Sequence, residues 1–190
     1  MLTGDSRPRI VIEWKDLSFD VRSEKNKTRS TKAILKSVSG FGAPGELLAI
    51  MGSSGAGKTT LLNLISGRTS VKRNQKLLGS IMLNGKEADF KSIRRFSAYV
   101  MQEDVFYESL TPRELITASA MLRLPNTVSA EERNNKIESV ITELGLEKVA
   151  DTVVGGPSFG KRGLSGGEKK RVAIAIELVN DPSILFLDEP

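Results

Sequence analysis

The residues best suited to chemistry begin with Gly52-Ser53-Ser54-Gly55-Ala56-Gly57-Lys58-Thr59, which has the spacing glycine, four residues, Gly-Lys-Thr. Glycines let a backbone curl until successive N–H groups point inward at phosphate oxygens. A helix opening near Gly57 or Lys58 adds its own free N–H groups and its positive dipole end. Lys58 supplies a mobile point charge for the outer phosphates. The Thr59 hydroxyl is a ligand suited to Mg²⁺. A merely flexible Gly/Ser loop would share this composition but not its setting. The motif follows the apolar run Glu46 to Met51 and precedes Leu61, Leu62, Leu64 and Ile65 at helical spacing. Strand, glycine loop, helix is the order that phosphate binding needs.

The second stretch is Ile184-Leu185-Phe186-Leu187-Asp188-Glu189. An apolar run of this kind predicts a buried strand. Acids at the carboxyl end of such a strand stand where α/β folds bind ligands. Asp188 suits a Mg²⁺ ion, directly or through water, and Glu189 suits the orientation or deprotonation of an attacking water. Taken alone, the run reads equally well as a strand leaving for solvent. The third stretch is Leu164-Ser165-Gly166-Gly167-Glu168, ahead of Lys169-Lys170-Arg171. Ser165 and Glu168 have the spacing of a capping box. Two glycines in the first turn are costly for a helix. They make sense if a phosphate approaches that backbone closely. A second anion site beside a complete phosphate loop implies a nucleotide shared with another copy of the domain.

What is absent narrows the chemistry. The 190 residues contain no His and no Cys. That excludes Ser-His-Asp triads, thiol nucleophiles, zinc fingers and disulfides. Charged residues make up 27%, hydrophobics 39%, and the net charge is +5, an ordinary globular balance. No apolar run approaches the roughly 18 residues of a membrane span. The polar stretch Met1 to Arg9 lacks the apolar core of a signal peptide.

The elements that must position these groups read as follows. Ile10 to Val21 predicts a strand, Arg22 to Lys32 an exposed basic hairpin loop, and Ala33 to Val38 the returning strand. Glu46 to Met51 predicts a short buried strand. Arg68 to Lys76 is a second basic loop, and Gly79 to Gly85 a strand closing on an Asn-Gly turn. Ser97 to Met101 predicts another strand. From Asp104 to about Lys161 the character is helical, with Thr111-Pro112-Arg113-Glu114 as a capped helix start. Ile137, Val140, Ile141 and Leu144 mark an amphipathic helix. Gly155-Gly156-Pro157 is a loop, Ser165 to Val179 a helix, and Ser183 to Leu187 a buried strand.

Together these motifs resemble the nucleotide-binding domain of an ATP-binding cassette (ABC) transporter. The likeness rests on the phosphate loop, on Gln102 after the strand ending Val100-Met101, on Leu164 to Glu168, and on the pair Asp188-Glu189, in that order. It narrows to the white/pigment-type subfamily G. The supporting segments are Ile50 to Asn63, Leu110 to Glu114, Leu122 to Pro125 and Glu177 to Ser183. The resemblance implies an α/β fold: a P-loop NTPase cassette with an antiparallel β subdomain, a helical insertion and its C-terminal part missing. Residues 1–103 would form the β and P-loop core, 104–163 the mainly helical subdomain, and 164–190 the signature helix and acid-bearing strand.

Roles are implied position by position. Gly52, Ser53, Ser54, Gly55, Ala56, Gly57, Lys58, Thr59 and Thr60 hold ATP phosphates. Val21 packs the adenine where many cassettes have a stacking aromatic. Thr59, Gln102 and Asp188 organise Mg²⁺, and Glu189 activates water, with Lys58 and Gln102 assisting. Ser165, Gly166 and Gly167 clasp ATP bound to the opposite subunit. The implied partners are a second cassette, in a homo- or heterodimer that sandwiches ATP, and a six-helix transmembrane domain C-terminal in the same polypeptide. The implied setting is the cytoplasmic face of a membrane, and the implied cargo a lipid, sterol, pigment precursor or xenobiotic. The family places a switch histidine after the acids, and this chain has none. An incomplete cassette that binds nucleotide and hydrolyses it poorly is therefore expected. The competing reading is a soluble ABC ATPase acting on the ribosome or DNA. Chromosome-maintenance types interpose a long coiled coil, and ribosome-associated types carry two cassettes. Neither feature occurs here, so no nucleic-acid partner is expected.

Overall fold

The computed structural model describes residues 8–25, 28–69, 71–103, 105–156 and 163–189, the side chains of 23–30 excepted. The chain divides into two compact units, Met1–Ser97 and Ala98–Pro190.

The first unit is built on an antiparallel sheet in the order β2-β1-β3-β4. Its strands are β1 (Ile12–Lys25), β2 (Thr28–Gly42), β3 (Gln75–Leu83) and β4 (Lys86–Glu87). Buried residues in and just before β1 change parity, from Ile10, Ile12 and Trp14 to Leu17 and Phe19. A bulge causes the change. Three steps of β1, Trp14 to Leu17, oppose two of β2, Gly40 to Val38. Asp16 sits in the bulge with φ 52°, and its N–H donates to Ser39 Oγ at 2.9 Å. The extra residue returns the apolar side chains to one face despite the broken alternation. Gly79 of β3 lies against the same bulge, where a Cβ would fall 2.4 Å from the Lys15 carbonyl oxygen.

The basic segment Arg22 to Lys32 is mostly strand rather than loop. Arg22 pairs with Thr31 and Lys25 with Thr28. Ladder hydrogen bonds use the backbone, so a polar hairpin can extend past its apolar core. Residues 26 and 27 of the expected loop lie outside the described residues. The Asn84-Gly85 turn forms as expected, with φ 50° and 74°, values that suit a two-residue hairpin turn. Asn84 also ties down the N-terminal segment, accepting from Val11 N–H at 2.7 Å and donating to Arg9 O at 3.1 Å.

Helix α1 (Lys58–Ile65) follows the glycine loop and buries Leu61, Leu64 and Ile65. An unanticipated helix, α2 (Phe90–Phe96), is capped by Asp89, which accepts from Ser92 N–H at 2.8 Å. Arg94 of α2 donates to Gly67 O at 2.8 Å, just beyond α1.

Residues 46–52 form no strand among the described residues, contrary to expectation. Leu47 is 93% and Met51 87% exposed. An apolar run becomes a buried strand only where neighbours supply ladder partners, and none of the strands pairs with it.

In the second unit, β5 (Ser97–Val100) pairs with β6 (Ile184–Leu187). Three helices pack beside one another: α3 (Pro112–Arg123), α4 (Ala130–Glu143) and α5 (Gly166–Leu178). Their shared core holds Ile116, Ala120, Ile137, Ile141, Val172 and Ala175. Each helix opens with a complete capping box, on Thr111/Glu114, Ser129/Glu132 and Ser165/Glu168. Arg113 fastens α3 to α4 through Glu138, and to the following turn through Asp151 at 2.8 Å. In β6 only Phe186 is buried and its neighbours are half-buried, so this strand is less enclosed than its composition suggested. Pro157 of the expected loop at 155–157 lies outside the described residues. Among the described residues, no helix is long and apolar enough to cross a membrane.

Candidate functional site

The phosphate loop occupies the first unit. Its geometry depends on glycine at two positions. Gly55 has φ 77° and Gly57 φ 94°, a region that L side chains adopt at a cost. At Gly57 a Cβ would also stand 3.0 Å from Leu35 Cδ2 and 3.2 Å from Ile34 O, both on β2. The close fit anchors the loop to the sheet. Gly57 is the N-cap of α1, and no side chain caps that end. A glycine at this position leaves the helix N-terminus, with its positive dipole end, open to an approaching anion. Lys58 Nζ donates to Gly52 O and Ser53 O, each at 3.1 Å. The ammonium is thus folded back over its own loop. Thr59 and Thr60 follow in the first turn of α1, and Thr59 is exposed. Val21 lies on β1, half-buried, opposite Lys32 of β2 and Gln75 of β3. It is an apolar side chain in a sheet, able to pack a flat ring but not to stack by π overlap.

The remaining groups lie in the second unit. Asp188 follows β6, is 8% exposed, and its N–H donates to Val100 O of β5 at 3.1 Å. Tyr99 donates its hydroxyl to Asp188 Oδ2 at 3.1 Å. Burying a carboxylate is costly unless it is hydrogen-bonded, and Tyr99 provides that bond. The Tyr99 ring also lies beside Phe186 of β6, with centroids 6.4 Å apart. Glu189 is exposed, with φ 52°. Its Oε2 accepts from Gln102 Nε2 at 2.6 Å. The structure therefore brings Gln102 and Glu189 together, with Asp188 adjacent in the chain.

At the start of α5, Ser165 Oγ and N–H both engage Glu168 Oε2, at 2.7 and 2.8 Å. These bonds from Ser165, the side chain's first, hold the Glu168 carboxyl below its ordinary value of 4.5. Gly166 has nothing within 4 Å of a would-be Cβ, and Gly167 only Arg171 Nη1 at 3.9 Å. Neither has a positive φ. Among the described residues, nothing requires glycine at these two positions. What they provide is an open backbone at a helix N-terminus, shaped for a close-approaching anion.

Thr59 in the first unit, and Asp188 and the Gln102 amide oxygen in the second, are each hard oxygen donors of the kind Mg²⁺ takes. Among the described residues, no group of three or more carboxylates gathers at one point.

Two contributors were missed in the sequence. Tyr99 sits in the wholly buried run Ala98-Tyr99-Val100, and a buried tyrosine needs a partner for its hydroxyl. That need was legible, although the partner's identity was not. Lys170, on the second turn of α5, donates to Met101 O and Gln102 O, both at 3.1 Å. Nothing in the local sequence marked it.

Comparison with known proteins identifies the family of the chain. A family model described as ABC transporter matches residues 35–190. ABC transporter G family member 7 of Arabidopsis thaliana is 43% identical over 98% of this chain and 25% of its own length. G family member 22 of Dictyostelium discoideum is 42% identical over 97% of the chain and 29% of its own. G family member 13 of Arabidopsis thaliana is 44% identical over 95% and 26%. The chain thus spans about a quarter of the length of these curated relatives. The residues matched include the glycine loop, Gln102, the start of α5 and the acid pair, and the chain belongs to the ABC transporter family as an ABC ATPase domain similar to those of the G family.

Proposed function

We propose that this chain is the ATP-binding and ATP-hydrolysing cassette of a membrane exporter whose cargo is a lipid, sterol, pigment precursor or xenobiotic. The observation that carries the reading is the glycine loop that closes at Gly57, at φ 94° and against Leu35 and Ile34, directly at the N-terminus of α1. The loop amides and Lys58 bind the phosphates, Lys58 exchanging its two carbonyl partners for phosphate oxygens. Val21 packs the adenine. Thr59, Asp188 and Gln102 hold Mg²⁺, which offsets charge on the phosphates. Tyr99 keeps the Asp188 carboxylate oriented. Glu189, steadied by Gln102, orients and deprotonates the attacking water.

Ser165, Gly166 and Gly167 receive the phosphate end of ATP held by a second cassette, in a homo- or heterodimer. The open backbone at the two glycines supports this role. A transmembrane domain, C-terminal in the same polypeptide, completes the exporter. The cassette then faces the cytoplasm, and no nucleic acid takes part. The names of the relatives support transport. The division at 1–103, 104–163 and 164–190 belongs to the same proposal and is supported by α3 and α4 in the middle part. The 190 residues alone bind nucleotide and turn it over slowly, a reading supported by the exposed segment ahead of the loop.

The test is nucleotide binding followed by a fluorescent ATP analogue. Lys58→Ala is expected to weaken it at least about tenfold. Unchanged binding would remove the phosphate loop from the proposal. Rapid, Lys58-dependent turnover by the 190 residues would remove the slow-hydrolysis reading.

A further inference from the structure

We propose that Lys170 is a positioning residue for hydrolysis, fixing the backbone that carries Gln102 and, through Gln102, the water-activating carboxylate of Glu189. The inference rests on the role given above to Glu189.

The geometry is a chain of three links within the second unit. Strand β5 ends at Val100, so the carbonyls of Met101 and Gln102 lie past its last strand residue. Lys170 Nζ takes both, at 3.1 Å each. An ammonium has three donors in no fixed plane, so it can hold two successive carbonyls at once. Gln102 Nε2 then reaches Glu189 Oε2 at 2.6 Å. Gln102 and Glu189 are both exposed, so their bond lasts only while the Gln102 backbone keeps the amide within reach of Glu189. Lys170 holds that backbone at two successive carbonyls.

The other end of the anchor is rigid. Helix α5 is fixed to α3 by Ser119 Oγ donating to Ile176 O at 2.8 Å, and by the forked pair Arg123–Glu177 at 2.9 and 3.0 Å. Lys169, next to Lys170 in the chain, fastens the start of α5 to Gly155 O at 2.8 Å. Lys170 therefore projects from a fixed helix, and the Gln102 backbone takes its position from that helix. The helix opens with Ser165-Gly166-Gly167, so a displacement of its first turns reaches Gln102 through a single side chain.

The experiment uses the full-length protein in lipid nanodiscs, reading ATP turnover and binding of a fluorescent ATP analogue. Lys170→Met keeps the aliphatic stem and removes the charge. It is expected to lower kcat about tenfold while KM and analogue affinity stay within about twofold. Lys170→Arg restores most of the rate, because a guanidinium can also donate to both carbonyls. In a Gln102→Ala background, Lys170→Met produces no further loss, since the residue it positions is gone. Should Lys170→Met fail to accumulate, Lys170→Gln carries the same expectations. A kcat unchanged by Lys170→Met, or a loss that multiplies with that of Gln102→Ala, overturns the proposal. Glu189→Gln separates the two readings. If it turns over ATP normally, the role of Glu189 is wrong. If it is inactive while Lys170→Met is fully active, only the role of Lys170 falls.

Discussion

Gln102 and Glu189, far apart in sequence, meet at 2.6 Å, amide nitrogen to carboxylate oxygen. The amide fixes which way the carboxylate points, leaving its other oxygen for water. Glu189→Gln in the full-length protein should keep ATP-analogue binding and lower phosphate release by about a hundredfold or more. Gln102→Ala should lower it less, by about tenfold, because the base remains but its orientation does not. Phosphate-release kinetics beside analogue titration check both.

Gly57 and Gly166 should respond in opposite ways to the same substitution. Gly57→Ala forces a Cβ into φ 94° and against Leu35 and Ile34, at a cost of about 1–3 kcal/mol. Gly166→Ala meets nothing within 4 Å among the described residues and should stabilise the helix start by up to about 1 kcal/mol. It should nevertheless depress ATPase activity of the full-length protein, because the methyl group occupies the open backbone. Urea denaturation and turnover separate the effects. Normal turnover by Gly166→Ala would argue that no phosphate approaches there.

The Ser165/Glu168 box makes the start of α5 sensitive to acid. Glu168 titrates below its ordinary value of 4.5 in the folded state because Ser165 bonds its charged form. Its contribution is complete above that ordinary value and fades as pH falls through the lower folded-state value. A carbon-detected NMR titration should find Glu168 below 4.5, and Ser165→Ala should raise it. The same substitution should cost about 1 kcal/mol at neutral pH.

Tyr99→Phe removes the hydroxyl that reaches buried Asp188. Leaving a buried carboxylate short of one bond costs about 1–3 kcal/mol. In the full-length protein, the Mg²⁺ concentration for half-maximal turnover should rise, while that for ATP changes less. Equal Mg²⁺ dependence in the two proteins would leave Tyr99 a structural residue only.

Sequence alone determined what acts within a few residues. The Asn84-Gly85 turn, the boxes at Thr111 and Ser165, and the glycine loop opening α1 each specify backbone angles or caps locally, and each stands where the spacing placed it. The bulge at Asp16, the polar extension of the β1–β2 hairpin and the exposure of Leu47 and Met51 were decided otherwise. They depend on which strand supplies ladder partners, and composition does not say. The partners of the site residues were decided by tertiary structure too. Tyr99 with Asp188, Gln102 with Glu189, and Lys170 with the Gln102 carbonyl are separated by 68 to 89 residues. A side chain's type states which bonds it can make. Only the packing of distant strands and helices decides which group is close enough to make them.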